Sequence, residues 1–246
     1  MRSVIVVPTY NEGENIEPFL RAVRKAAPST DVLVVDDNSP DGTGALAESV
    51  ANELGRIEVL HRPGKQGLGS AYREGFSRVL ASDQYDVVIS MDADFSHDPE
   101  QLSQFIQLVA DGADVVIGSR YVPGGGTTDW PVHRQLLSKW GNAYTRTVLG
   151  VSARDCTSGY RAYRATSLAA IDPATATAEG YAFLTELVRR LTRDGATVVE
   201  TPIIFRDRTR GKSKMSGRII AESMMLVSAW GMLDRWRRLT ARRSTR

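Results

Sequence analysis

Five short apolar runs, each followed by an amphipathic stretch, constrain the fold of this chain more than any other feature. The runs are residues 4–7, 32–35, 57–60, 87–89 and 115–117. They are rich in β-branched residues and do not alternate with polar ones, the pattern of parallel strands buried on both faces. Between them, residues 16–26, 43–53, 69–80 and 101–110 carry helical spacing. Phe19, Leu20, Val23 and Ala27 fall on one stripe, the mark of a helix with one buried face. Strand and helix in strict alternation predict an α/β domain, a mostly parallel sheet with helices on both faces.

The order changes after Arg120. A Gly-rich loop at 122–128 leads to a predicted helix at 133–149, and two more helices near 165–171 and 181–193 precede a strand at 198–205. A basic loop follows, then an apolar stretch at 219–233. No internal repeat and no low-complexity linker divides the chain. The expected division is therefore a domain of residues 1–216 with an appendage of residues 217–246.

Charge is unevenly spread. Residues 206–246 carry 12 Lys and Arg against 3 Asp and Glu, a net of +9, whereas residues 1–205 carry 19 against 26, a net of −7. The basic end points to an anionic partner, phosphate, a membrane surface or nucleic acid. Residues 206–218 hold no aromatic and no recognition motif, so nucleic acid is not expected. The apolar stretch at 219–233 includes Glu222 and falls short of the roughly 20 apolar residues that cross a bilayer. Ile219, Leu226, Trp230 and Leu233 share a helical face, with Arg235, Arg237 and Arg238 just beyond. That is the pattern of an interfacial amphipathic helix; a helix packed on the domain is the competing reading. One cysteine, Cys156, excludes an internal disulfide and a CxxC metal site and fits a reducing compartment. The N-terminus turns polar too soon for a signal peptide.

Each strand ends in chemically loaded residues. The first runs into PTYNE, the second into VVDDNSPDGT, the third into RPGKQGLGSA, the fourth into DAD and the fifth into GSRY. In open parallel sheets, ligands bind at the carboxyl ends of strands, so five such ends on one edge predict a site. No GxGxxG follows the first strand and no GxxxxGK[ST] occurs, so the usual dinucleotide and P-loop phosphate cradles are missing. Asp92 and Asp94 bracket one alanine. On a strand they would share a face, and like charges held together call for a cation or a proton. A polar turn, with Asp98-Pro99 opening the next helix, is the competing reading of that stretch.

The ordered set PTYNE, VVDDNSPDGT, GLGSA, DADFSH and GSRY resembles the inverting family-2 glycosyltransferases of the A-type, Rossmann-like fold. More narrowly it resembles the polyprenol-phosphate (dolichol-phosphate) mannose synthases, which TSGYRAYR and FRDRTRGKSKM also match. The resemblance covers residues 4 to about 218. It implies that Pro8, Tyr10 and Glu12 line the donor nucleoside, that Asp37 reaches it, and that Lys65 touches the donor. It places Arg208 and Lys214 over the donor diphosphate, in a loop that Gly211 leaves free to close. It makes Asp94 the direct ligand of Mg²⁺ or Mn²⁺ and sets Asp92 beside the donor sugar or metal. Some relatives carry Gln where Ser96 stands, as a second metal contact; Ser96 is shorter, and a water can intervene. His97 is expected to support the site and not to bind the metal.

On the acceptor side, Arg134 and Ser138 lie four apart on a predicted helix and so share a face. With Arg120 they form the implied clamp for the lipid phosphate, since arginine presents a planar fork suited to phosphate oxygens. Asp92, Asp94 and Arg120 are thus the expected catalytic groups. The implied reaction moves mannose from GDP-mannose to a polyprenyl monophosphate, giving a β-linked product. UDP-glucose as donor, and a glycan hydroxyl as acceptor, are the rival readings; Glu186 is where the latter would seek a base. The implied setting is cytoplasmic, at the inner face of a membrane, either directly or through a membrane partner protein.

Overall fold

A computed structural model describes residues 1–207 and 217–244 of the chain. All five predicted strands and the helices between them form. β1 (Ser3–Thr9), β2 (Asp31–Asp36), β3 (Ile57–His61), β4 (Val87–Ser90) and β5 (Val115–Ser119) alternate with α1 (Ile16–Ala26), α2 (Thr43–Leu54), α3 (Leu68–Ala81) and α4 (Leu102–Ala110). After β5 come β6 (Gly126–Thr127), α5 (Val132–Leu149), β7 (Arg161–Arg164), α6 (Ala165–Ala170), α7 (Tyr181–Arg193), β8 (Val198–Pro202), β9 (Ile204–Phe205) and α8 (Gly217–Ser244).

Seven strands form one sheet in the order β3-β2-β1-β4-β7-β5-β8. Its pairs are parallel except where β7 inserts antiparallel between β4 and β5. The non-alternating runs are explained by a core on each face. Val4, Val6, Leu33 and Val35 meet Tyr72 and Phe76 of α3 and Phe183 and Leu187 of α7. Ile5, Val7, Val32 and Val34 meet Phe19 and Leu20 of α1, Ala47 of α2 and Phe105 of α4. Alternation persists, but both faces are apolar.

Two strand assignments differ from the sequence reading. β7 has four residues bracketed by arginines, too short and too polar at its ends to stand out, yet Ala162 and Tyr163 go to opposite cores. The strand expected over 198–205 breaks at Ile203, whose N–H bonds to the Ser119 carbonyl at 3.1 Å. β8 then pairs with β5, and β9 pairs with β6 in a separate ribbon.

The last helix is longer than its apolar stretch and docks against α5 and α7. Its packed side runs through Val227, Trp230 and Asp234, so the face is turned from the expected one, and Leu226 and Leu233 are exposed. A buried ion pair fixes it: Arg189 of α7 donates Nε and Nη2 to the Asp234 carboxylate at 2.7 and 2.5 Å. Gly231 crosses close to α5, and a Cβ there would run into the Val148 side chain and lie 3.0 Å from its carbonyl oxygen. Among the described residues, no helix is long and apolar enough to cross a membrane.

Candidate active site

Three of the parallel strands stop and turn sharply at the same edge. Asn11 after β1, Asn38 after β2 and Phe95 after β4 all have positive φ, at 59°, 56° and 60°. Left-handed backbone is uncommon outside glycine and clusters where function demands it. β4 ends at Ser90, so Asp92 and Asp94 lie beyond the strand, and strand alternation does not bring them together. The chain turns back at Phe95 instead: the Ser96 amide donates to Asp94 Oδ1 at 3.0 Å, while the Asp92 amide donates to His97 Nδ1 at 3.2 Å.

The two aspartates sit where two cavities meet. The first, about 410 Å³, is lined by Pro8, Tyr10, Glu12, Asp37, Lys65, Asp92 and Asp94. Every donor-side residue inferred from sequence that lies among the described residues is therefore in one cavity. Arg208 and Lys214 lie outside the described residues. Lys65 Nζ stands 4.0 Å from the centre of the Tyr10 ring, a cation–π contact that orders both. Asp37 is buried, and its carboxylate organises the next loop. Oδ1 accepts from Arg62 Nη1 at 2.5 Å, and Oδ2 accepts from the Gln66 and Gly67 amides at 2.9 and 2.8 Å. Asp36 is spent on Thr9 and Ser39. Neither caps α2; Asp41 accepts from the Thr43 amide instead, at 3.1 Å.

The second cavity, about 420 Å³, shares Asp92 and Asp94 with the first and adds Arg120, Arg134 and Ser138. The clamp residues thus come together, already engaged by the protein. Arg120 donates Nε and Nη2 to Asp155 at 2.7 Å each, and Nη2 also to Thr157 Oγ1 at 2.8 Å. Arg134 donates to Asp207 at 2.7 Å and lies 3.9 Å from the Trp130 ring centre. Ser138 Oγ accepts from the Tyr121 hydroxyl at 2.6 Å. Burial alone would push the Asp155 carboxyl up, but the Arg120 charge and its hydrogen bonds outweigh that and hold it below the ordinary range.

His97 is fully enclosed, stacked on Tyr160 and edge-on to Phe205. Burial drives its pKa down to about 4, so the ring is neutral near pH 7, and acceptance at Nδ1 leaves the proton on Nε2. It supports the Asp92 backbone, as expected. Glu186 is not available as a base: Oε2 accepts from the Thr177 and Ala178 amides, and Oε1 from Arg190.

Sequence reading missed several walls. Glu179 and Gly180 line the first cavity, Trp130 and Ser158 the second, and Ser223 of α8 lines both. Asp155, which sets Arg120, belongs to no motif that would have drawn notice. The TSGYR segment was visible as a motif, but not what it does. Its Gly159 lets the chain press against the Asp92 carboxylate and His97, where a Cβ would lie 3.4 and 3.2 Å away.

The residues at this edge fit a divalent cation. Asp92 and Asp94 offer hard oxygen ligands, and the buried Ser96 Oγ has no hydrogen-bond partner among the described residues. No group of three or more His, Cys, Asp or Glu able to hold a metal occurs among them. Mg²⁺ and Mn²⁺ take oxygen ligands and are typically held by one or two carboxylates together with substrate phosphates, a donor set that Asp92 and Asp94 can supply.

A sheet edge that presents two acids where two cavities meet is suited to an enzyme that brings two substrates together. Comparison with known proteins gives the family. The chain belongs to glycosyl transferase family 2, whose model matches residues 4–171. Polyprenol monophosphomannose synthase of Mycolicibacterium smegmatis is 48% identical over 235 residues, 95% of this chain and 88% of that one. Undecaprenyl-phosphate mannosyltransferase of Micrococcus luteus is 48% identical over 242 residues, 98% of this chain and 99% of that one. Among solved structures, glucosyl-3-phosphoglycerate synthase of Mycobacterium tuberculosis, in complex with Mn²⁺, uridine-diphosphate-glucose and glycerol 3-phosphate, superposes with a TM-score of 0.66. It is 20% identical, over 95% of this chain and 79% of that one. A mannosyltransferase of Pyrobaculum calidifontis, in complex with GDP-mannose and Mn²⁺, gives 0.59 at 17% identity, over 86% and 58%.

Proposed function

We propose that this glycosyltransferase moves mannose from GDP-mannose to a polyprenyl monophosphate, with inversion at the anomeric carbon. The observation that carries the reading is the shared wall: Asp92 and Asp94 belong to both cavities, and the second also holds Arg120 and Arg134. The names of the two 48% identical relatives support mannose and a polyprenyl phosphate.

A phosphate monoester suits such a site. Its second pKa is about 6, so it is ionised near pH 7 and has no difficult proton to lose. One phosphate oxygen attacks the anomeric carbon from the face opposite the leaving group. The bond from that carbon to the donor diphosphate breaks, and its electron pair stays on the diphosphate. No base is needed, in keeping with the occupied carboxylate of Glu186. Pro8, Tyr10, Glu12, Asp37 and Lys65 hold the donor, and the resemblance adds Arg208 and Lys214 as contacts to its diphosphate. Arg120, Arg134 and Ser138 hold the acceptor phosphate, so that catalysis rests on positioning and charge stabilisation. Asp94 and Ser96 would hold Mg²⁺ or Mn²⁺, with Asp92 beside the donor sugar. The cation, when bound, stabilises the charge that develops on the diphosphate.

A lipid acceptor brings the protein to a membrane surface. α5 exposes Val132, Leu136 and Trp140, the last at 57%, and α8 exposes Met225, Met232 and Trp236, the last at 64%. These helices pack together, so their apolar side chains offer a joint surface for the lipid interface. The catalytic groups fall within residues 1–216, and residues 217–246 add a wall of both cavities and part of that surface. The protein then sits peripherally on the cytoplasmic face, directly or beside a membrane partner protein. The test is a panel of nucleotide sugars, each incubated with a short polyprenyl phosphate and Mg²⁺. A lipid-linked hexose from GDP-mannose alone is expected; the same product from UDP-glucose would reassign the donor.

A further inference from the structure

A third cavity, about 410 Å³, shares only Arg120 with the second and takes no part in the reaction described above. It lies between the 120–125 turn, α5 and the segment that follows α5, and Arg120, Lys139, Arg146 and Arg154 line it. Lys139, Arg146 and Arg154 make no ion pair among the described residues, and every Asp and Glu of the chain lies among those residues. Two carboxylates of the neighbourhood are already taken. Asp155 holds Arg120, and Glu200 accepts the amides of Arg154 and Asp155 at 2.8 and 2.9 Å. Four cations against two occupied acids leave the cavity with an excess of positive charge. Unpaired basic side chains gathered round a cavity are suited to phosphate oxygens.

The position of the cavity names the source of that phosphate. Val132, Lys139 and Arg146 succeed one another at seven-residue intervals on α5, so they form one row along the helix. The basic pair therefore borders the exposed apolar stripe of Val132, Leu136 and Trp140 on one side, the stripe drifting the other way round the helix. A helix that lies in the bilayer interface on its apolar side sets such a basic edge at headgroup level.

We propose that this cavity is a binding site for the headgroup phosphate of an anionic membrane lipid, separate from the acceptor clamp. The inference takes its ligand from the membrane-surface part of the proposed function and does not depend on mannosyl transfer. The test compares the full-length protein with a variant carrying Lys139→Ala, Arg146→Ala and Arg154→Ala. A control variant carries Arg2→Ala, Lys25→Ala and Arg78→Ala, at the opposite edge of the sheet. Binding is measured by co-sedimentation with phosphatidylcholine vesicles, pure or containing about one-third phosphatidylglycerol, at fixed ionic strength.

The cavity variant should bind the anionic vesicles about tenfold or more weakly, from three cations near the surface. Its binding to neutral vesicles and its turnover on a short, water-soluble polyprenyl phosphate should be unchanged, as should all properties of the control variant. Equal loss in both variants would mean bulk charge and no site, and no loss in the cavity variant would overturn the proposal outright. Wild-type protein that binds neither vesicle would overturn the membrane reading along with it. Titration with inorganic phosphate separates the sources. Saturable binding that the cavity variant loses, with vesicle binding intact, would assign the cavity to a soluble anion and overturn the lipid assignment.

Discussion

The two cavities proposed for donor and acceptor share two aspartates but are built on opposite plans. The donor side is made by strand ends: loops after β1, β2 and β4 present Tyr10, Asp37 and Asp94 from a sheet packed on both faces. The acceptor side is largely made by helices, and its two arginines are held by carboxylates, Arg120 by Asp155 and Arg134 by Asp207. The Arg120 pair is buried, whereas the side chains of the Arg134 pair are 28% and 37% exposed. A buried fork fixes a guanidinium in place, while a half-exposed pair exchanges partners at small cost. The difference teaches that one arginine is part of the frame and the other is the adaptable one. On the proposed function, Arg134 is the group that would turn from Asp207 to an incoming phosphate.

Mutations can break that comparison in order of effect. Asp94→Asn should lower kcat/KM by roughly a thousandfold or more, the scale of losing a charge clamp on a leaving group, with the thermal midpoint nearly unmoved. Steady-state kinetics and thermal unfolding check this together. Retained activity in excess chelator would remove the metal from the donor side.

Asp155→Asn should act on stability, because it leaves a buried arginine without its counter-charge, a loss of about 3 kcal/mol or more. Its pH dependence has a definite sign. The folded carboxyl is held below its ordinary value, so the unfolded chain takes up the proton first as pH falls. The stabilisation is complete above the ordinary aspartate pKa of about 3.9 and drains as pH falls through the lower folded value. The gap in unfolding free energy between wild type and Asp155→Asn should therefore shrink in acid. A gap that stays constant from pH 7 to pH 3 would mean that Asp155 does not matter through its charge.

Arg134→Ala should raise KM for the lipid phosphate by about tenfold to a hundredfold, the worth of a charged hydrogen bond. KM for the donor should hardly move. Equal effects on both substrates would erase the distinction between the cavities. The smallest effect belongs to Lys65→Ala. A half-exposed cation–π contact is worth about 0.5–1 kcal/mol, so donor KM should rise about two- to fivefold while acceptor KM stays constant.

The donor side was the more legible in sequence, for a physical reason. Strands buried on both faces write unbroken apolar runs, and the residues just past them must sit at one edge of the sheet. Pro8, Tyr10, Glu12 and Asp37 stand at or just past those strand ends, and the family resemblance then points to them as the donor side. The acceptor side depends on long-range pairs that leave no periodic trace. Asp155 stands 35 residues beyond Arg120, and nothing in its flanks marks it as the partner. α8 was legible as a helix but not in its orientation. Its packed stripe combines Val227 and Trp230 with Gly231, which is there for close approach, and Asp234, which is there for Arg189. A search for apolar spacing passes over the last two and selects Leu226 and Leu233 instead.

The most direct measurement compares a short polyprenyl phosphate with the polyprenol of the same length as acceptor, under saturating GDP-mannose and Mg²⁺, with lipid-linked product detected by mass. If the second cavity holds an ionised phosphate that needs no base, transfer should occur to the phosphate alone, and the rate with the alcohol should equal the background without acceptor. Comparable transfer to the alcohol would show that the site activates a hydroxyl, contradicting the role assigned here to the acceptor cavity.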